Sequence, residues 1–308
     1  EIRLSLVGSE MCIRDREDYE LRNEDIAVRI ASLGAELKSL KDIRSGREYM
    51  WDGDPAYWKR VSPVLFPLVG NYRNKQAVYE GKAYPLSQHG FARDREFTLV
   101  SETPEEIWLA LDADDRTKEC YPFAFRLELG YRLSGRAVEV LWRVINTGNE
   151  TMYFSIGGHP AFACPLNEEG NKEGYSFWFD SGEPLETRII GPDGLATDDH
   201  EAYFLEEGRL PITESLFDQD ALVVEGGQAH EVKLLDPAGT AFVTVQFDAP
   251  LFGLWSPPGK NAPFICIEPW YGRCDHKDFR GTLAEREWGN ALEEGGVFSA
   301  SYRIITEA

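Results

Sequence analysis

The chain has 308 residues, 43% of them apolar, with 17 Phe, 13 Tyr and 8 Trp, enough for a large core in one big domain or two ordinary ones. Its 53 acidic residues against 32 basic ones give a formal charge of -21, which repels phosphate backbones and anionic membranes and argues against nucleic-acid binding. No run approaches the roughly 18 apolar residues of a membrane span, no basic-then-apolar leader is visible, and the five cysteines show no metal-ligand spacing and cannot all pair within one chain, so reduced thiols in the cytoplasm are the expectation.

In chain order, "EIRLSLVGSEMCIRDR" over residues 1–16 mixes Gly, Cys and three arginines without a sustained period, and reads as a non-native or disordered extension with no role in chemistry. Clean patterning starts at Tyr19, and residues 17–308 read as one domain. The stretch after "GDPAYW" has room for a helical turn. Strand-like pieces follow at "EFTLV" and "IWLALDA". In "FAFRLELGYRLS", Phe123, Phe125, Leu127, Leu129, Tyr131 and Leu133 share one face while Arg126, Glu128 and Arg132 share the other, the alternation of a half-buried strand. After "SGRA" the period resumes with Val138, Val140, Trp142 and Val144, which predicts a hairpin.

"TMYFSI" comes next, then residues 172–216, rich in Gly, Asp and Glu, which read as an irregular excursion from the core. "HEVKLLD", "AFVTVQF" and "VFSASYRII" complete the strands, with a turn or two of helix expected between Asp275 and Gly289. No long amphipathic helix separates the strands, which excludes a doubly wound parallel sheet. The fold class is all-β, a large antiparallel sandwich.

Three motifs put a titratable residue at the end of an apolar run, with Gly or Pro beside it: His89 in "LSQHGFARD", His159 in "GGHPAF" and Glu268 in "ICIEPWYG". Strand ends on a rigid scaffold can hold catalytic groups in place. Singly, each histidine reads equally well as a satisfied core residue. The apolar residues before Glu268 and the "PWY" after it point to burial, and a buried carboxylate needs partners or an upward pKa shift. Together the three supply base, acid and orienter for proton transfer. Two histidines and a glutamate also suit zinc, although the HExxH spacing is absent, as are nucleotide-loop signatures. Cys266 lies within the third motif and Cys274 just after it, without an evident base. His200, His230 and His276 sit in polar surroundings and read as surface residues. Trp51, Trp58, Phe91, Trp255, Trp270 and Tyr271 lie near the motifs or turns, where aromatics suit either a sugar ring or core packing.

The motifs "GDPAYWKRVSPVLFPLVG", "QHGFARD", "GGHPAF", "FDQDALV" and "CIEPWYG", in this order from about Tyr19 to the C-terminus, resemble the aldose 1-epimerase (galactose mutarotase) superfamily, most of all its LacX-like branch. The resemblance implies a galactose mutarotase-like supersandwich with an open sugar cleft. It implies interconversion of aldose anomers by ring opening and reclosure, with no cofactor and no metal. Glu268 then resembles the general base on the C1 hydroxyl, His159 the general acid on the ring oxygen, and His89 a sugar-binding histidine. Asp218 matches a sugar-binding aspartate by position, with Asp220 close enough to share the register. The branch's arginine after "PLVG" is replaced by Asn71, so Asn71 and Arg73, or Arg93, stand in for it, and Trp255 joins the substrate-binding set. A related branch acts on hexose 6-phosphates, for which Arg73, Lys75 and Arg93 form a candidate cluster. The partner expected is therefore a small sugar, free or phosphorylated, with no nucleic acid and no membrane. A non-catalytic carbohydrate-binding protein is the remaining alternative.

Overall fold

The structure is a computed structural model describing residues 18–166 and 171–307. The expected extension over residues 1–16 lies outside the described residues.

The period-two segments become strands of two large sheets. Val297–Thr306 pairs with Ala137–Asn146, which pairs with Phe125–Ser134 and onward through Glu106–Asp112 to the edge strand Thr98–Glu102. On its other side Val297–Thr306 meets Ala241–Phe247, then Glu231–Leu235, Ser176–Phe179 and Arg209–Pro211, closing a nine-stranded antiparallel sheet. The second sheet has Phe264–Tyr271 at its heart, with Leu251–Trp255 on one side and Ile156–Gly158 and Ala161–Ala163 on the other. Apolar rings from the two sheets meet between them, Phe247 against Phe252 and Trp142 against Tyr271. One buried apolar cluster runs from Leu21 to Ile304. This is an antiparallel sandwich. The "SGRA" hairpin is present, with Ala137 paired to Ser134.

Several local expectations change. Residues 172–216 are not an excursion: they supply edge strands to both sheets, and Phe177, Phe179 and Leu185 are buried. Their many Gly, Asp and Glu residues lie in tight turns and on exposed strand faces, which hid the alternation. The region after "GDPAYW" is irregular rather than helical. The turn of helix expected between Asp275 and Gly289 is present as one 3-10 turn, Leu283–Glu285. A short α-helix, Asp115–Cys120, forms instead where Asp114 and Thr117 make a reciprocal capping box. His200 and His230 are exposed, and His276 lies near Asp198 at 3.2 Å.

Gly157 and Gly158 do not owe their identity to backbone conformation, since neither has a positive φ. They allow close approach on opposite faces. A Cβ at Gly157 would lie 2.5 Å from Trp270 Cδ1, whereas one at Gly158 would lie 2.9 Å from the Tyr302 hydroxyl on the opposite sheet. Gly158→Ala therefore overpacks the sandwich interior without filling any cleft. It should lower stability by about 1–3 kcal/mol, the usual range for an overpacked core, read as a shift in the urea midpoint. An unchanged midpoint would show that Tyr302 gives way freely.

Candidate active site

The strand Phe264–Tyr271 alternates. Phe264 and Cys266 pack with Trp51 and Ala161, and Trp270 with Leu65 and Val69, while Ile265 and Ile267 enter the main core. Glu268 shares the face of Cys266 and Trp270. Across from it the partner strand is interrupted. Gly157 pairs with Trp270 and Ala161 with Cys266, and His159–Pro160 fills the gap. Continuing that register sets His159 directly opposite Glu268. Neither Pro160 nor Pro269 has an N–H for a ladder bond, and a single bond from Ile267 N–H to Pro160 O (3.3 Å) spans the break.

The result is a cross-strand pair with His159 Nε2 3.3 Å from Glu268 Oε2. His159 is 6% exposed and Glu268 1%. No described residue hydrogen-bonds His159 Nδ1 or Glu268 Oε2. Burial drives the two groups apart in acidity. It holds the Glu268 carboxyl well above its ordinary 4.5, with the Asp220 charge adding to the shift and the Trp270 indole opposing it. It also holds the His159 imidazole well below 6.5, with Arg93 and Arg60 adding to that shift.

The pair lies at the bottom of a cleft of about 430 Å³, within the size class of small-molecule sites. Trp270 forms part of the floor. Its indole spans two glycines of neighbouring strands, since a Cβ at Gly157 or at Gly253 would come within 2.5 Å of it. Trp58 stacks on the His159 ring at 4.6 Å and 31°. Trp255 meets the same ring edge-on at 5.4 Å, and its Nε1–H donates to Asp220 Oδ1 (3.0 Å).

His89 comes from a turn in which it has φ 65° and Gly90 φ 72°. A Cβ at Gly90 would strike the Phe66 carbonyl at 2.2 Å, so only glycine fits there. His89 N–H donates to Gly70 O (2.8 Å), and Gly70 N–H donates back to His89 Nδ1 (3.1 Å). That second bond puts the proton of the neutral ring on Nε2. Burial, followed by the His159, Arg93 and Arg60 charges, keeps the ring's pKa well below 6.5. His89 is thus a neutral donor at the cleft wall, 5.7 Å from His159 between ring centres.

Of the catalytic and binding residues expected from the sequence, the cleft brings together Glu268, His159, His89, Arg93 and Trp255. Arg93 Nη2 donates to Gln88 O (2.6 Å), and burial, with Arg60 beside it, lowers its pKa to about 10. Three expected binders are not in the lining. Asp218 is exposed and lines a different surface depression; Asp220, two residues on, is the aspartate at the cleft. A turn through Asp220, with φ 76°, separates the two carboxylates. Arg73 is committed elsewhere, with its Nε donating to Lys277 O (2.9 Å) and its N–H to Asp275 Oδ2 (2.8 Å). Asn71 sits behind Gly194, where a Cβ would come within 2.5 Å of its Nδ2.

Sequence reasoning missed Lys59 and Arg60, which line the cleft beside Trp58. Arg60 Nη2 donates to Asp94 (2.9 Å). The "YWKR" run was legible as part of a motif, but nothing distinguished these charges from surface ones. A larger cavity of about 830 Å³, bordered by Glu173, Glu206, Glu207 and Glu214, contains no comparable buried pair.

Linkage gives the pair a measurable signature. The raised folded-state pKa of Glu268 contributes stability that is present below 4.5 and lost as pH rises toward the folded value. The lowered value of His159 contributes stability present above 6.5 and lost as pH falls. Between 4.5 and 6.5 the two slopes oppose; above 6.5 only Glu268 acts. Glu268→Gln removes that slope, so its Tm should gain on the unaltered protein as pH rises above 4.5, until Glu268 ionises in the folded state. Parallel Tm curves would show that Glu268 ionises freely.

The sequence profile of the family described as aldose 1-epimerase matches residues 17–303. Protein LacX (plasmid) of Lactococcus lactis subsp. lactis is 35% identical over 284 residues, covering 89% of this chain and 91% of that protein. The structure of a galactose mutarotase related enzyme from Lactobacillus acidophilus superposes with a TM-score of 0.89 at 34% identity, over 95% of this chain and 98% of that one. A galactose mutarotase-like protein from Lactobacillus casei ATCC 334 gives a TM-score of 0.88 at 29% identity, over 94% and 100%.

Proposed function

The chain belongs to the aldose 1-epimerase family, and from that premise we propose that it is a mutarotase, interconverting the α and β anomers of an aldose. The activity is assigned to one domain over residues 17–308, a reading supported by the apolar cluster that runs from Leu21 to Ile304. The observation that carries the functional proposal is the buried His159–Glu268 pair, 3.3 Å apart at the bottom of a polar and aromatic cleft. Ring opening needs a proton removed from the C1 hydroxyl and one delivered to the ring oxygen, which is the work of a positioned base and acid.

In the forward step the Glu268 carboxylate takes the C1–OH proton and protonated His159 delivers one to the ring oxygen as the C1–O5 bond breaks. The open-chain aldehyde then rotates about C1–C2. Reclosure runs the same transfers backward and restores the pair. His89 Nε2–H donates to the sugar near the ring oxygen, and Asp220 accepts from a sugar hydroxyl.

Glu268→Gln should slow anomer exchange by roughly 10²-fold or more, followed by polarimetry or NMR across free aldoses. His159→Ala should abolish most turnover while changing stability by no more than about 2 kcal/mol. Near-normal exchange in either variant overturns its assignment. Sugar binding without acceleration in the unaltered protein would instead favour a non-catalytic binder.

Arg60 and Arg93 favour a second reading of the substrate. Two guanidiniums approach the single carboxylate of Asp94, at 2.9 Å and 4.0 Å, and Lys59 also lines the cleft, within a chain of charge -21. Such a cationic patch suits a phosphate. Of the cluster expected from the sequence, Arg93 is in this lining, whereas Arg73 and Lys75 are not. On this reading a hexose 6-phosphate has the higher kcat/KM, and Arg93→Gln removes the advantage. Equal turnover of both sugars would reject it.

A further inference from the structure

Cys266 has no place in the proposed reaction, yet it lies beneath the pair. One donor atom each from His159, Cys266 and Glu268 falls within 4.8 Å of the others, and all three residues are buried. Cys266 and Glu268 are two apart on one strand, so both side chains leave the same face. His159 joins them from the facing strand. The 3.3 Å between His159 Nε2 and Glu268 Oε2 is the edge of a tetrahedron whose ligands lie roughly 2.0–2.1 Å from its centre. Glu268 Oε2, 1% exposed as a residue, has no hydrogen-bond partner among the described residues. The cleft leaves an open fourth direction.

We propose that His159, Cys266 and Glu268 form an inhibitory site for a borderline or soft divalent cation such as Zn2+. The donor set is imidazole, thiolate and carboxylate, which selects Zn2+ over Mg2+. Binding displaces the protons of the thiol and the carboxyl to solvent. The cation's two charges are then balanced by the two anionic ligands, so the filled site is neutral in its buried setting. His159 Nδ1 has no hydrogen-bond partner among the described residues, whereas built-in metal sites anchor the second imidazole nitrogen. This marks the cation as an inhibitor and not as a resident cofactor. The binding claim stands on the cluster's geometry alone; that the cation stops turnover rests on the mutarotase reading.

The test therefore separates the two. Co2+ is titrated into the full chain and the near-ultraviolet thiolate-to-cobalt band is followed, with and without saturating aldose. The titration is repeated on Cys266→Ala, with Cys120→Ser as the control for a half-buried thiol away from the site. A band that survives in Cys120→Ser, disappears in Cys266→Ala and is suppressed by sugar supports the site. Zn2+ competing for Co2+ should lose about 10–100-fold in affinity in Cys266→Ala, at least the loss seen when an outer partner of a metal ligand is removed. No band in the unaltered protein, or a band and Zn2+ affinity unchanged in Cys266→Ala, overturns it. If Cys266→Ala does not fold, the wild-type band and its suppression by sugar decide. Anomer exchange is read separately: inhibition by Zn2+ but not Mg2+, relative to each variant's own metal-free rate, extends the site to control of the proposed reaction. A cobalt band in a protein with no anomer exchange would sink the mutarotase reading and leave the metal site standing.

Discussion

The site depends on one interruption in a sheet. Pro160 on one strand and Pro269 on its neighbour leave a gap in the backbone ladder between Ala161–Cys266 and Gly157–Trp270. Into that gap the register places a histidine and a glutamate facing each other. Elsewhere in a central strand two ionisable groups would be a defect, because burying either charge alone is costly. On either side of the strand lies a glycine, Gly157 on one and Gly253 on the other, and the Trp270 indole lies over both. The missing hydrogen bonds, the missing side chains and the buried pair are consequences of the same local geometry.

That geometry bears on how the pair shares protons. With one proton between them, the two groups can be imidazolium and carboxylate or imidazole and carboxylic acid. Burial favours the second form, raising Glu268 and lowering His159. On the proposed reaction, the second form is also the one present while the sugar is open. The charged form, needed with the closed ring, gains from the 3.3 Å approach of opposite charges and from the Trp58 π-face over the imidazolium. A catalyst that works equally well in both directions needs these two forms close in energy. Opposing effects of burial and pairing are a physical route to that balance.

The sequence made the alternating strands legible because one face of each is buried and the period of two survives. His89, His159 and Glu268 were legible for another reason. Each ends an apolar run beside Gly or Pro, and the structure shows Gly90 and the two prolines shaping the backbone there. Loop carboxylates carried no such mark. Asp218 and Asp220 differ by a left-handed turn at Asp220, which no hydrophobic period records. Arg73 and Arg60 are equally plain as letters, and only the tertiary fold commits Arg73 to Lys277 O and turns Arg60 toward the cleft. Residues 172–216 failed for want of length: their strands run from three to eight residues, with much of the longest exposed.

The aromatic residues flagged near the motifs can now be apportioned between sugar contact and support. Trp58 is held at small tilts to two rings, His159 at 31° and Phe264 at 27°. These contacts hold the indole against the imidazole, so Trp58 supports His159. Trp255 is restrained by its bond to Asp220, which couples the aspartate at the cleft to the edge of the His159 ring. Trp270 rests on glycine backbone and packs with Leu65, Val69, Val223 and Leu251, so only 6% of it is exposed where it lines the cleft. On the proposed reaction the sugar ring lies over the cleft floor, with C1 and the ring oxygen directed at Glu268 and His159.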